Sequence, residues 1–329
     1  MNGDLLRHLF DRLSERPPAG GDAAFSALPI PGAGRHMASL SVAGRPGLLL
    51  RTALGGLRPP SIYLSGLDAH FGVTCKVAEG DSIPQECQIS ILECTAGPDA
   101  MPIFSESAGT FLRLLGEAPT MAEAAVAVAR FASIFSALSR PARQSVTGLI
   151  GELMLLLLAS DAARAISCWR ASPTDRFDFV GEGARVECKA TSTGLRLHSF
   201  SWDQCNPPEG PAMVASLRVE SAGGGVSLRS LLQRIELRLT TAPDAAARLR
   251  ETVASTLGHS LPQALDTTFD EMLSRNSLQW FDLRNVPAIR GDLPQGVSGL
   301  RFLSDLSLCE SVTAARLEGT GLDALIPAA

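Results

Sequence analysis

Hydrophobic and polar residues alternate in short runs along the first third of the chain, the period that sends successive side chains to opposite faces of a strand. Turn residues separate these runs between about 27 and 104, which predicts an antiparallel, β-rich domain. The runs are HMASLSV, GLLLRTA, IYLSGL, FGVTCKVA and CQISILEC. A short amphipathic helix at about 4–16 and a Pro/Gly linker (PPAGG) precede them. Two helices at about 105–117 and 121–138 follow, and SRPAR ends the second.

The second half of the chain opens with a helical pattern that is apolar nearly all round. This pattern runs from about 145 to 164 and predicts a helix capped by Ser145 or Thr147. Four short strands follow, and GEG between the second and third is a tight hairpin signal. These strands are SCWRAS, RFDFV, ARVECKATS and AMVASLRV. GGGVSLRSLLQRIELRL starts with a glycine turn and then has helical period, and DAAARLRETVASTL is another predicted helix. SLQWFDLRNVPAI with SGLRFLSDLSLCES is predicted to form a late strand pair.

The length of 329 residues corresponds to roughly two domains of ~150 residues each. We predict an N-terminal helix and linker at 1–22, and a β-rich domain with a helical connector at 23–140. An α/β domain with a C-terminal extension is expected to occupy 141–329. The chain as a whole is therefore expected to be an α/β protein.

The composition limits the cellular compartment and the kinds of partner that we expect for this protein. The longest apolar runs, LMLLLLA and AAVAVARFASIF, are shorter than the ~18 residues of a membrane span or carry Arg130. The N-terminus contains acids and no apolar core, unlike a signal peptide. Seven cysteines without a CxxC pair argue against a disulfide framework or zinc site, so we expect a cytoplasmic protein. The net charge of −5 excludes wholesale coating of nucleic acid but permits a local basic groove, for which Arg143 is a candidate.

The stretch RFDFVGEGARVECKATS places charged residues in strands that otherwise have core composition. Glu187 and Lys189 lie two residues apart and so project from one face, while Cys188 points to the other and its carbonyl stays at the rim. The hairpin brings Asp178 beside Glu187. Two neighbouring carboxylates repel each other, which raises a pKa or recruits a cation. Mg²⁺ fits such a site, because it prefers carboxylates, carbonyl oxygen and water.

Two further features add to this cluster. Glu152 is the only charge between Gln144 and Ser160, and it shares a helix face with small residues. Lys189 is one of only two lysines among the 29 basic residues, so a compact ammonium stands where this chain otherwise uses arginine. Both observations favour a chemical role for the charged hairpin.

A helical Glu, then an Asp, then E-x-K on a hairpin strand resembles the PD-(D/E)XK nuclease superfamily. More closely, the chain resembles bacterial PD-(D/E)XK motif proteins from restriction and phage-defence gene clusters. The residues that carry the closer resemblance lie between about 145 and 311. They are RFDFV, VECKAT, RLHSFSWDQC, SLRSLLQRI and WFDLRNVPAIRGDLPQGVSGLRF with DLSLC. The resemblance implies a restriction-endonuclease-like core with a mixed central sheet flanked by helices.

The resemblance also implies roles for individual residues. Asp178 and Glu187 would be metal ligands together with the Cys188 carbonyl, and Lys189 would be the catalytic lysine. Glu152 would be the helical acid at the metal, and Gln204 the polar residue after the E-x-K strand. The cofactor would be Mg²⁺, with Mn²⁺ as a substitute.

The sequence departs from the family pattern at two places. No Pro-Asp pair is present, because Pro173 and Asp175 precede the strand, so Asp175 competes with Asp178 for the acid position. Asp203 lies beside Gln204 and is a further charge near the ion.

The implied function is Mg²⁺-dependent hydrolysis of DNA phosphodiester bonds by a metal-activated water, in restriction or phage defence. Arg143, Arg196 and His198 are the candidates for contact with the nucleic acid, and RNA remains an open substrate. Expected partners are DNA, a DNA methyltransferase and an ATPase of the same gene cluster, with a homodimer possible and no membrane. The alternative is a catalytically inactive, nuclease-like DNA-binding or scaffold subunit.

Overall fold

The structure is a computed structural model that describes residues 3–15, 24–53, 56–77, 85–97, 100–170, 175–206 and 210–327. It divides into two compact units. The first contains 1–141 and 247–262, and the second contains 142–246 and 263–329. The structure places 247–262 in the first unit, whereas our prediction assigned these residues to the second domain. The predicted linker PPAGG and Pro173 lie outside the described residues.

The first unit contains a six-stranded antiparallel sheet, as the alternating pattern predicts. After helix α1 (Gly3–Ser14), the chain forms β1–β6, which lie in the order β1-β2-β3-β6-β5-β4. Their bounds are β1 Phe25–Pro29, β2 Met37–Ser41, β3 Pro46–Arg51, β4 Ile62–Leu64, β5 Leu67–Val77 and β6 Gln85–Cys94. One face buries a cluster around Met37, Leu49, Ile89 and Ile91. The predicted single run IYLSGL contains all of β4, a turn and the first residue of β5.

Two helices come after the sheet in the chain, close to their predicted positions. They are α2 (Met101–Leu115) and α3 (Met121–Leu138). Thr120 and Glu123 form a reciprocal capping box that fixes the start of α3. By length and composition alone α3, with its 18 residues, could cross a membrane, and 50% of it is buried in the protein. Core helices of globular proteins satisfy the same criterion, so the length and composition of α3 do not distinguish a core helix from a membrane-spanning helix.

The second unit is built on a four-stranded mixed sheet. Its helices and strands begin with α4 (Val146–Leu158), α5 (Ala162–Cys168), β7 (Phe179–Val180), β8 (Arg185–Thr191), β9 (Leu197–Ser201), α6 (Trp202–Cys205), β10 (Ala212–Arg218), β11 (Ser221–Ser227) and α7 (Leu228–Leu237). Next along the chain come α8 (Pro243–Leu257) and α9 (Leu261–Ala264), most of whose residues belong to the first unit or to its boundary. The second unit then continues with β12 (Thr268–Phe269), α10 (Glu271–Asn276), β13 (Gln279–Asp282) and β14 (Arg301–Asp305). The sheet order is β13-β10-β8-β7, with β8 parallel to β10 and the other pairs antiparallel.

Helix α4 packs directly against β8. A Cβ built on Gly151 would stand 2.9 Å from the Ala190 Cβ and 3.2 Å from the Cys188 Sγ, so only glycine permits this close approach without a shift. Cys188 therefore faces the helix, which confirms the prediction that it points away from Glu187 and into the core. The mixed sheet, the helices and the β-rich N-terminal sheet confirm the predicted α/β class.

Several predicted elements differ from the structure. The helix expected at 145–164 is interrupted after Leu158, because Asp161 caps a second helix by accepting a hydrogen bond from the Arg164 N–H. In the predicted strand SCWRAS, Ser167 and Cys168 therefore end α5, and Trp169 forms an isolated bridge to Phe179. Ala171 and Ser172 lie outside the described residues. The glycines at 223–225 lie in β11 and not in a turn. The two late strands do not pair with each other, since β13 pairs with β10 and β14 with β9.

Candidate active site

The hairpin of β7 and β8 places the acidic residues side by side. Phe179 lies opposite Val186, and the Gly181 N–H donates to the Ala184 carbonyl at 2.9 Å to close the turn. Continuing this register by one residue puts Asp178 across from Glu187. Strand β7 is only two residues long, so Asp178 lies at its start and not within a full strand as the run RFDFV predicted.

Main-chain contacts fix Asp178 on both sides. Its Oδ2 accepts a hydrogen bond from the Cys188 N–H at 2.9 Å, and its own carbonyl accepts one from the Arg170 N–H at 2.7 Å. The N–H and C=O of one strand residue point to the same side, so the Cys188 carbonyl is also directed towards Asp178. The hairpin thus presents a carboxylate and a carbonyl at one edge.

Glu187 and Lys189 project from the same face of β8, as the strand period predicts. The Lys189 Nζ lies 2.7 Å from the Glu187 Oε1, and only 6% of Glu187 is exposed. The same ammonium stands 4.9 Å from the centroid of the Phe200 ring, within the range of a cation–π contact. Lys189 is therefore held between a carboxylate and an aromatic face.

Burial dominates the electrostatics of both hairpin carboxylates. It raises the pKa of Asp178 well above its ordinary value, and the charges of Glu152 and Glu187 raise it further against the opposing effect of Arg170. Burial likewise raises the pKa of Glu187, and Lys189 partly offsets this. Burial therefore disfavours the ionised form of both carboxyl groups. A cation bound between them would stabilise that ionised form.

The donor set fits a hard divalent cation. Two buried carboxylates and one carbonyl oxygen are the ligand types that Mg²⁺ takes, with water completing the shell. Among the described residues no group of three or more His, Cys, Asp and Glu side chains is arranged to hold an ion. An ion here would therefore bind to at most two acidic side chains, in keeping with the habit of Mg²⁺ of retaining several waters.

Glu152 occupies a different environment from the one expected for a metal ligand. It is fully buried on α4. Its Oε2 accepts hydrogen bonds from the Trp169 Nε1 at 2.6 Å and the Arg170 Nε at 2.8 Å. Its Oε1 accepts from the Arg170 Nη2 at 2.6 Å and the Gln144 Nε2 at 2.7 Å. Because four donors already satisfy the two oxygens, the prediction of Glu152 as a metal ligand is corrected to a charge buried behind the site.

Arg170 is the functional residue that the sequence analysis missed. Its guanidinium binds both oxygens of Glu152, contacts the Gln144 amide oxygen, and lies 3.3 Å from the Asp178 Oδ1. These carboxylates raise the pKa of Arg170 and hold its charge. Its φ of 45° is the left-handed conformation that ends many helices, a position usually taken by glycine. No local pattern in SCWRAS marks this residue, because its role depends on the break between α4 and α5.

Gln204 lies close to Glu187, as the resemblance implied. A hydrogen bond from Gln204 lowers the pKa of Glu187, and the Gln204 Nε2 also donates to the Arg176 carbonyl at 3.1 Å. Asp203, in contrast, is 47% exposed and pairs with Arg176 at 3.6 Å. The side chain of Asp175 is exposed, whereas Asp178 contacts the other members of the site. The geometry favours Asp178 over Asp175 for the acid position, and the predicted further charge, Asp203, pairs with Arg176.

The expected nucleic-acid contacts of Arg196 and His198 are corrected. Arg196 donates to the Ser216 carbonyl of β10 at 2.8 Å and to the Ser277 carbonyl at the end of α10, so its guanidinium is engaged within the fold. His198 is 4% exposed, contacts the Ser216 hydroxyl at 2.8 Å, and has a pKa lowered to about 4 by burial. A neutral, buried imidazole does not bind phosphate as a cation. Arg143 is exposed just before α4, and its role stays a prediction.

Comparison with known proteins identifies one family. A family model described as "Putative PD-(D/E)XK family member, (DUF4420)" matches residues 24–307. No curated protein and no solved structure matches the chain. The family match confirms the predicted resemblance, and the matched residues include the β-rich first unit.

We expect Arg170→Met to lower the free energy of unfolding by about 3–5 kcal/mol, because it leaves the buried carboxylate of Glu152 without its cation. Urea unfolding followed by circular dichroism measures this change. Arg176→Met is the matched control, since its ion pair is exposed and should contribute about 0–1 kcal/mol. The double variant Glu152→Gln/Arg170→Met should recover part of the loss. Equal effects of Arg170→Met and Arg176→Met would contradict a compensating role.

The buried His198 should make stability depend on pH below neutrality. Its pKa is about 4 in the fold and about 6.5 when unfolded, so the unfolded chain binds more protons between these values. The free energy of unfolding therefore falls as the pH falls through this window, by at most about 3 kcal/mol from this group. We expect His198→Gln to flatten this part of the pH profile, measured as the melting temperature.

Wild type and His198→Gln both contain the buried carboxylates. The difference between their pH profiles therefore reports the contribution of the His198 imidazole. The exposed His259→Gln serves as the control. A difference between wild type and His198→Gln that stays constant from pH 7 to pH 4 would contradict the assignment.

Proposed function

The chain belongs to the PD-(D/E)XK family that matches most of its length, and from this premise we propose that it is a Mg²⁺-dependent endonuclease that hydrolyses DNA phosphodiester bonds. The observation that carries the proposal is the convergence of two buried carboxylates and an ammonium at one hairpin. Asp178 stands across from Glu187, and Lys189 lies 2.7 Å from the Glu187 carboxylate. A purely structural role would not require two acids of raised pKa side by side.

Asp178, Glu187 and the Cys188 carbonyl would hold the cation. When bound, Mg²⁺ lowers the pKa of a coordinated water and screens the charge of a phosphate under attack. The remaining chemistry belongs to the chain itself. The Cys188 N–H and the Arg170 N–H fix Asp178, and Glu187 with Phe200 hold the Lys189 ammonium in one place. From that place Lys189 orients a water or neutralises charge that develops on the phosphate.

The wider setting of the proposal derives from the family resemblance. We propose action in restriction or phage defence in the cytoplasm, with a DNA methyltransferase and an ATPase of the same gene cluster as partners. The absence of disulfides among the seven cysteines is compatible with a reducing compartment. The catalytic groups would serve DNA and RNA equally, and we favour DNA because the resemblance is to restriction proteins.

We expect purified protein to cut DNA with Mg²⁺ or Mn²⁺ and to stop when the metal is chelated. Lys189→Ala and Asp178→Asn should each lower the cleavage rate by about a hundredfold or more, because each removes a group at the reacting centre. Gel assays of plasmid cleavage measure these rates, with circular dichroism as the check on folding. Asp175→Asn is the matched control and should retain activity. Loss of activity in Asp175→Asn but not in Asp178→Asn would reverse the assignment of the acid.

A second candidate function is a nuclease-like subunit that binds DNA or a partner without cutting. The observation that favours it is that a cation of the chain already lies at each hairpin carboxylate. Arg170 is 3.3 Å from Asp178 and Lys189 is 2.7 Å from Glu187. Such pairs compensate buried acids without a metal.

The double variant Glu187→Ala/Lys189→Ala separates the two functions. If the protein is a nuclease, this variant loses cleavage, and phage protection is lost with it. If the protein is a scaffold, we expect its DNA affinity, measured by fluorescence anisotropy, and its protective effect to be unchanged. Wild-type protein without cleavage in the presence of its operon partners would favour the scaffold.

A further inference from the structure

Strand β14 has one edge that no other described strand covers. It pairs antiparallel with β9, with Leu303 opposite Ser199, and these two strands form a separate two-stranded ribbon. The two outer strands of the second unit's main sheet, in contrast, each carry an additional bridge. Trp169 bridges to Phe179 on β7, and Val312 bridges to Trp280 on β13. The outer edge of β14 therefore differs from these in being unpaired within the described chain.

The direction of the main-chain groups of β14 follows from its hydrogen bonds. The Leu306 N–H donates to the Arg196 carbonyl at 3.0 Å, and the Trp202 N–H donates to the Leu300 carbonyl at 2.9 Å. In an antiparallel pair, residues alternate between facing the partner strand and facing away. The even-numbered residues of β14 thus bond to β9, and the odd-numbered ones direct their N–H and C=O outwards.

The side chains of these same odd-numbered residues are exposed. Arg301, Leu303 and Asp305 face solvent, with 67% of Leu303 exposed, while Ser304 is buried. The edge therefore presents a cation, an apolar residue and an anion at equal spacing around Leu303. Unpaired edges with an exposed apolar residue are ready templates for another strand.

We propose that β14 pairs antiparallel with β14 of a second copy of this chain, about a two-fold axis at Leu303. This register places Arg301 opposite Asp305 of the second copy and Asp305 opposite its Arg301, so two cross-strand ion pairs form. Leu303 meets its own equivalent on the axis. The outward N–H and C=O groups of the three odd-numbered residues would form up to about six main-chain hydrogen bonds. About two of these would use the Asp305 carbonyl, which in the single chain accepts a weak contact from the Cys309 thiol at 3.9 Å.

Self-complementarity is the reason for choosing a second copy over another protein. A two-fold interface requires that the same patch satisfy itself, and a sequence with opposite charges on either side of a central apolar residue does so. A shift of the register by two residues would leave Leu303 opposite a charged residue. The outer edge of β9 lacks this property, since its outward residues Leu197, Ser199 and Ser201 carry no charges. The Ser201 N–H also donates to the Gln204 side chain at 3.0 Å.

The expected dimer is weak because a five-residue edge buries less than the ~1,000 Å² typical of stable interfaces. We expect association in the micromolar range, visible as a concentration-dependent mass. The inference does not depend on the proposed nuclease function, since no residue of the candidate active site takes part in the interface.

Charge reversal tests the pairing. We expect Arg301→Asp and Asp305→Arg each to raise the dimer dissociation constant by about tenfold, because each replaces two attractive cross-strand pairs with two repulsive ones. The double variant Arg301→Asp/Asp305→Arg restores both pairs and should return the constant to near the wild-type value. Sedimentation equilibrium of the full chain measures the constants. Leu237→Asp, an equally exposed leucine away from the edge, is the control and should have no effect.

Cysteine substitution tests the register. Directly bonded cross-strand residues have Cα atoms about 5.5 Å apart, within the range of a disulfide. Leu303→Cys should therefore form a covalent dimer on mild oxidation. Arg301→Cys should not, because its equivalent in the second copy lies four residues along, about 14 Å away. Non-reducing gels compare both variants with wild type, which accounts for the seven native cysteines.

A wild-type chain that stays monomeric across the micromolar range overturns the proposal. So does a dimer that is unchanged by both single charge reversals, or one that Arg301→Cys cross-links as readily as Leu303→Cys. Restoration in the double variant together with selective cross-linking through position 303 supports it. Circular dichroism of every variant identifies any that fails to fold, and the remaining variants then decide the outcome.

Discussion

The compensation of buried negative charge is the constraint on which the second unit depends. Glu152, Asp178 and Glu187 lie close enough that their charges act on one another, and all three are largely removed from water. A buried carboxylate without a partner destabilises a fold by several kcal/mol, on the order of 3–5. Arg170 and Lys189 supply the compensating charges from inside the same unit. The second unit therefore supplies compensating cations for its buried acids from its own side chains.

The two cations compensate the acids in different ways. Arg170 lies between Glu152 and Asp178, and its left-handed backbone at the end of α5 turns the guanidinium back onto α4. This conformation is unfavourable for a side chain other than glycine by roughly 1 kcal/mol, which the ion pairs offset. Lys189 instead shares its strand with Glu187 and keeps 16% of its side chain exposed. Arg170 thus bridges the helix carboxylate and a hairpin carboxylate, whereas Lys189 compensates Glu187 alone, and 28% of the Arg170 side chain is also exposed.

Much of the site could be predicted because it is local in sequence. The strand period alone puts Glu187 and Lys189 on one face, and the tight turn alone brings Asp178 beside them. The predicted roles of Glu152, Arg196 and His198 were wrong because they depend on distant partners. Glu152 is satisfied by Trp169 and Arg170 across a helix break, and Arg196 by carbonyl groups of β10 and of the end of α10. Side-chain partners that come from separate elements leave no periodic signal.

The sequence by itself determined the antiparallel first sheet, the positions of α2 and α3, and the charged hairpin, because hydrophobic period and turn residues act over a few positions. The tertiary structure alone decided which strands are neighbours and which charges meet. It separated the two late strands and paired β14 with β9, leaving an edge that the sequence could not reveal. The physical reason is that strand order and charge pairing minimise the free energy of the whole unit, whereas sequence patterns report only on each segment.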